Sequence, residues 1–195
     1  MNPILSQVLA SARDRHVPVI DDDSREILIR AVEEVKPRRI LEIGTAIGYS
    51  ASLMALSSEA TIDTVEMDDT RRQEAISLWK RLGIDDRIHA YLGNADEILE
   101  SVVEGKEYDF IFIDGPKSKY LSHFLICLPH LSAGGVVFAD DVLYFGMVEG
   151  EEFIPHKHRT IVTNLRQFLA TVQTDERLEC TIVREGNGVA IIRKK

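Results

Sequence analysis

Five times along this chain a short apolar run is followed by a helical stretch, and no other feature restricts the fold as much. The runs cover residues 39–43, 60–66, 87–92, 108–113 and 135–139. The helical stretches cover 49–57, 69–82, 95–103, 119–131 and 159–171. Alternation of this kind predicts a doubly wound, mostly parallel α/β sheet with helices on both faces. Tyr108-Asp109-Phe110-Ile111-Phe112-Ile113 is apolar on both faces, as a central parallel strand must be. Two final strands, 178–184 and 188–193, flank Glu185-Gly186-Asn187 and predict an antiparallel hairpin at the sheet edge. Two helices, 3–14 and 23–35, precede the alternation, joined by the extended His16-Val17-Pro18-Val19-Ile20.

Composition fits one globular domain spanning 1–195: 195 residues, 45% hydrophobic and 28% charged. No apolar run reaches the roughly eighteen residues that cross a bilayer. Residues 1–15 lack the charged-then-apolar layout of a secretion signal, so a cytoplasmic location is expected. Two cysteines, Cys127 and Cys180, are too few for a disulfide framework or zinc site and read as buried small hydrophobes. A net charge of -9 attracts no nucleic acid globally, so RNA binding would need a local basic patch.

In a doubly wound sheet, ligands bind beyond the carboxyl ends of the strands. After the first strand come Gly44 and Gly48, four apart. The spacing matches neither a Walker loop nor G-x-G-x-x-G. It allows a close backbone approach to a ligand at a helix N-terminus, or a plain strand-to-helix turn. After the second strand, Glu66 can accept the hydroxyls of a ribose, while Asp68 or Asp69 caps the next helix. Asn94 and Ala95 after the third strand can line an adenine pocket or form a simple cap. Asp114 and Lys117 follow the fourth strand, and Asp140 and Asp141 the fifth. Three convergent carboxylates suit Mg²⁺, Mn²⁺ or Ca²⁺; read separately, they are caps and turn formers. Lys117 beside such a cation would have a lowered pKa and could serve as a general base, or be an ordinary surface lysine.

The stretches Leu41-Glu42-Ile43-Gly44-Thr45-Ala46-Ile47-Gly48-Tyr49-Ser50, Phe112-Ile113-Asp114-Gly115-Pro116-Lys117 and Ala139-Asp140-Asp141-Val142-Leu143 resemble the three signatures of the metal-dependent class I O-methyltransferases, the catechol and caffeoyl-CoA type. The resemblance implies a Rossmann-like fold with a seven-stranded sheet, and S-adenosylmethionine as methyl donor. It implies that Gly44 and Ser50 hold the methionine end, Glu66 the ribose, and Asn94 and Ala95 the adenine. Ile20 falls where an N-terminal helical segment, residues 1–36, covers the site. Asp114, Asp140 and Asp141 are the implied metal ligands, with Asp114 also touching the donor, and Lys117 is the implied base. Two positions depart from the pattern: Asp141 stands where the family has Asn, and Gly115-Pro116 where Ala or bulkier residues are usual. His16-Val17-Pro18 and Val142-Leu143-Tyr144-Phe145-Gly146 are similar to the bacterial tRNA 5-hydroxyuridine methyltransferase subgroup. That makes tRNA the expected acceptor, helped by Lys117, Lys119 and His156-Lys157-His158-Arg159, and a homodimer the expected assembly. The competing expectations are a small catechol or CoA ester as acceptor, and a nucleotide-binding module without catalysis.

Overall fold

The computed structural model describes residues 2–150 and 153–195; Met1, which begins the 1–36 segment, lies outside them. Helices α1 (Pro3–Asp14) and α2 (Asp22–Val35) come first. Then strands and helices alternate: β1 (Arg39–Ile43), α3 (Tyr49–Leu56), β2 (Thr61–Glu66), α4 (Asp69–Leu82), β3 (Ile88–Leu92), α5 (Ala95–Val103), β4 (Tyr108–Ile113), α6 (Tyr120–Cys127), β5 (Leu131–Ala139) and α7 (Arg159–Thr174). The hairpin β6 (Leu178–Val183) and β7 (Val189–Lys194) ends the chain.

The seven strands form one sheet in the order β3-β2-β1-β4-β5-β7-β6. β1 to β5 run parallel to one another, and β7 runs antiparallel to both β5 and β6. The order reverses between β1 and β4, which makes their carboxyl ends the switch point. Strand periodicity divides the core. Leu41, Ile43, Ile111, Ile113 and Val137 face a layer containing Tyr120, Phe124 and Phe168. Ile40, Phe110, Phe112, Val136 and Phe138 face a layer containing Leu28, Met54 and Trp79.

The expected helix over 119–131 is shorter, because 3₁₀ turns at Lys117–Lys119 and Leu128–His130 flank α6. Pro129 lacks an amide hydrogen and its ring disfavours a continuing helix. The fifth strand begins at Leu131 rather than 135: Tyr108 pairs with Leu131 but Phe110 with Val136, so residues 132–135 bulge out of register. Cys127 is buried as expected, whereas Cys180 on the edge strand is only half-buried.

Candidate active site

Sheet register builds the site. Ile43 pairs with Ile113, and Ile113 with Ala139. The ladder continues one residue further: the Asp114 amide donates to the Ile43 carbonyl at 3.0 Å and the Asp140 amide to the Ile113 carbonyl at 3.1 Å. Gly44, Asp114 and Asp140 therefore stand in one row across the switch point. Asp141 takes a left-handed conformation, φ 55°. That turn brings its carboxylate to the same side as its neighbour, although consecutive residues of a strand face opposite ways. Oxygens of Asp114, Asp140 and Asp141 lie within 4.8 Å of one another.

Each carboxylate has a donor. Lys117 Nζ donates to Asp114 Oδ1 at 2.6 Å and lies 3.0 Å from Asp141 Oδ2. Ser24 Oγ donates to Asp140 Oδ1 at 2.7 Å. The Tyr120 hydroxyl donates to the Asp140 carbonyl at 2.9 Å. Burial, with Asp114 and Asp141 nearby, pushes the Asp140 carboxyl up to about 7, against the pull of Ser24 and Lys117. Burial likewise raises Asp114, against Lys117 and with Asp141 and Asp21 adding to the rise. The cluster thus has too little positive charge for its three acids. An all-oxygen donor set short of positive charge fits a hard divalent cation.

Lys117 sits between two of these acids. Burial alone lowers its pKa, but Tyr120 and the carboxylates of Asp114 and Asp141 raise it well above the ordinary lysine value. A cation held by the same carboxylates would oppose that rise, which is the condition under which Lys117 was expected to serve as a base.

The residues expected to hold a methyl donor lie beside this cluster. Gly44 has φ +100°, and a Cβ there would meet the Asp114 carbonyl oxygen at 2.5 Å. Glu66, 7% exposed, accepts from the Ala46 amide at 2.8 Å and the Asp68 amide at 2.9 Å. Two lone-pair directions remain for hydroxyls. Asp68 is the N-cap of α4, accepting from the Thr70 and Arg71 amides. Asn94 caps α5 through Oδ1, so the capping role holds whatever else it contacts. Ile20, Gly44, Ser50, Glu66, Asn94, Ala95, Asp114, Lys117, Asp140 and Asp141 all line one cavity of about 960 Å³.

Several features of the cavity and of the strand behind its wall escaped the sequence. Glu42 is fully buried in β1, accepting from Ser50 Oγ and Thr64 Oγ1, each at 2.5 Å. Burial pushes it up to about 8, although both hydroxyls pull it down. Its signal was available: an acid inside an otherwise apolar parallel strand. Asn187 reaches the cavity from the hairpin turn, a placement no local pattern announces. Tyr49 and His123 also line it, and the Tyr49 hydroxyl and His123 Nδ1 are buried without protein partners among the described residues. Of the expected basic residues, Lys117 and Lys119 line the cavity. Lys119 pairs with Asp96 at 2.7 Å. His156, Lys157, His158 and Arg159 are not among the cavity-lining residues.

Residues 8–195 match the sequence model of the O-methyltransferase family. The chain is 30% identical over 168 residues to a flavonoid 3',5'-methyltransferase of Vitis vinifera, covering 80% of this chain and 70% of that one. It is 26% identical over 185 residues to a caffeoyl-CoA O-methyltransferase of Populus kitakamiensis, covering 91% and 77%. A crystal structure of a Podospora anserina methyltransferase bound to S-adenosylhomocysteine superposes with a TM-score of 0.87 at 26% identity, covering 100% of this chain and 89% of that one. The match over almost the whole length, on a cavity shaped as described, leaves one conclusion: this chain belongs to the O-methyltransferase family and is an S-adenosylmethionine-dependent O-methyltransferase.

Proposed function

We propose that the chain methylates one of two adjacent oxygens on a small aromatic acceptor, such as a catechol or a caffeoyl-CoA-like ester, with a divalent cation held by Asp114, Asp140 and Asp141. One observation carries this reading: the carboxylate triad and the donor-side residues Gly44 and Glu66 line the same cavity. Names of the relatives, which include a caffeoyl-CoA O-methyltransferase, support the acceptor class.

The residues divide the work. Glu66 accepts the ribose hydroxyls of the donor, Gly44 and Ser50 hold its methionine end, and Asn94 and Ala95 flank the adenine. Ile20 shields the donor from water. Holding donor and acceptor in one geometry converts a bimolecular encounter into an oriented one. In the transfer, an acceptor oxygen forms a bond to the methyl carbon as the carbon–sulfur bond breaks, giving S-adenosylhomocysteine and releasing the hydroxyl proton. When bound, a divalent cation supplies Lewis acidity and a template for two oxygens. Lys117 Nζ is the proton-handling group beside the triad. As an ammonium it donates; it accepts a proton only when Asp114 and Asp141 are otherwise neutralised. Asp141 in place of Asn adds one negative charge and favours tighter cation retention.

A second acceptor has an observation of its own. Phe145 and Phe153 are 69% and 80% exposed, and the Arg159 guanidinium lies 5.5 Å from the Phe153 ring centre. Exposed aromatic rings with a guanidinium beside one of them suit stacking on nucleobases, and 5-hydroxyuridine in tRNA offers a hydroxyl next to a carbonyl. A cytoplasmic homodimer belongs to the same proposal and is checked by fractionation and light scattering. The test of acceptor is transfer of labelled methyl to a catechol, a caffeoyl-CoA ester and tRNA carrying 5-hydroxyuridine. Faster labelling of the small aromatics supports the first reading; labelling of tRNA alone replaces it with the second.

A further inference from the structure

Ser24 lies 116 residues before Asp140 in sequence, yet its hydroxyl donates to Asp140 Oδ1 at 2.7 Å. It stands at the start of α2 and is fully buried. Its amide is already engaged, donating to Asp21 Oδ1 at 2.7 Å as the helix N-cap bond. The hydroxyl is therefore not needed for capping, and the helix would form equally well with Ala there. Of the three carboxylates, Asp140 is the most buried, and Lys117 contacts only the other two. Ser24 is thus the one side chain that donates to the Asp140 carboxylate among the described residues.

Ser24 is also tied to the donor side. Pro18, Val19, Ile20 and Asp21, which lead into α2, line the cavity. Asp21 meets the hairpin tip, where a Cβ on Gly186 would stand 2.7 Å from its Oδ2. One hydroxyl therefore joins the cover over the donor to a carboxylate of the acceptor half.

We propose that Ser24 is a positioning residue: its hydroxyl fixes the rotamer of Asp140 so that the other carboxylate oxygen faces the cation, and through it cation binding orders the 16–24 segment over the donor. The inference rests on the proposed cation site. Partners that orient a metal-ligating group typically change metal affinity 10–100-fold when removed.

The test measures Mn²⁺ binding to the full chain by electron paramagnetic resonance, with no acceptor present. The expected result is binding at least 10-fold weaker in Ser24→Ala, with S-adenosylmethionine affinity close to wild type and Tm lower by only a few degrees, and recovery in Ser24→Thr, which keeps the hydroxyl. Hydrogen exchange should show Mn²⁺-induced protection of residues 16–24 in the wild type and not in Ser24→Ala. Mn²⁺ binding by Ser24→Ala within twofold of a wild type that binds the ion overturns this inference and leaves the cation site standing. Equal losses of Mn²⁺ binding, donor binding and Tm would mark a packing defect and also overturn it. A wild type that fails to bind Mn²⁺ overturns both the inference and the cation reading.

Discussion

Gly44 and Asp114 touch through their backbones: a Cβ on Gly44 would stand 2.5 Å from the Asp114 carbonyl oxygen. The loop proposed to meet the donor and the strand end that carries a triad carboxylate are thereby held against each other. Gly44 also sits at φ +100°, a conformation that L side chains rarely adopt. Gly44→Ala should destabilise the fold by about 1–3 kcal/mol and weaken donor binding together with divalent-cation binding. Calorimetric titration of both ligands checks this; loss of one affinity with the other intact would contradict the shared contact.

Glu66 carries the donor's ribose in this account while also receiving the Ala46 and Asp68 amides. Glu66→Ala leaves those amides and the ribose hydroxyls without their acceptor, at about 1–3 kcal/mol for an unsatisfied buried group. The donor dissociation constant should rise by roughly tenfold or more. Unchanged donor affinity by calorimetry would refute the assignment.

The buried Glu42 gives a pH signature. Its folded pKa is pushed to about 8 from the usual 4.5, so between these values the folded chain holds a proton that the unfolded chain has lost. Its contribution to stability is complete below about pH 4.5 and is lost as pH rises toward 8. Tm measured with EDTA should fall across that range. Glu42→Gln, which cannot ionise, should flatten the fall. A wild-type Tm independent of pH, or the same slope in Glu42→Gln, would show that Glu42 ionises normally.

Charge reversal at Lys157 and Arg159 separates the two acceptors. Phosphate contacts weaken steeply with salt, whereas a small catechol makes none. The double reversal should leave catechol methylation within about twofold of wild type; transfer to tRNA, if present, should drop severalfold and become less salt-dependent. Parallel losses on both acceptors would point to a disturbed shared loop.

The parallel sheet, the row of residues at its strand ends and the hairpin were legible because each rests on local pattern: apolar runs, glycine turns and acids at strand ends. Asp68 could be read as a cap for the same reason. What could not be read depends on contacts distant in sequence. The Ser24–Asp140 bond has no local signature, and neither does the entry of Asn187 into the cavity. The ion pairs of Lys117 could not be read either, because Asp141 reaches it only through the left-handed turn after β5. The early start of β5 was hidden by the bulge over residues 132–135, which interrupts the strand period.

The claim that Asp114, Asp140 and Asp141 hold a catalytically required cation is tested most directly by methyl transfer from labelled S-adenosylmethionine to a catechol, in EDTA and then with Mg²⁺ or Mn²⁺ restored. Transfer should be abolished in EDTA, return with the cation, and not return in Asp140→Ala while its Tm and donor binding persist. Full transfer in EDTA would contradict it.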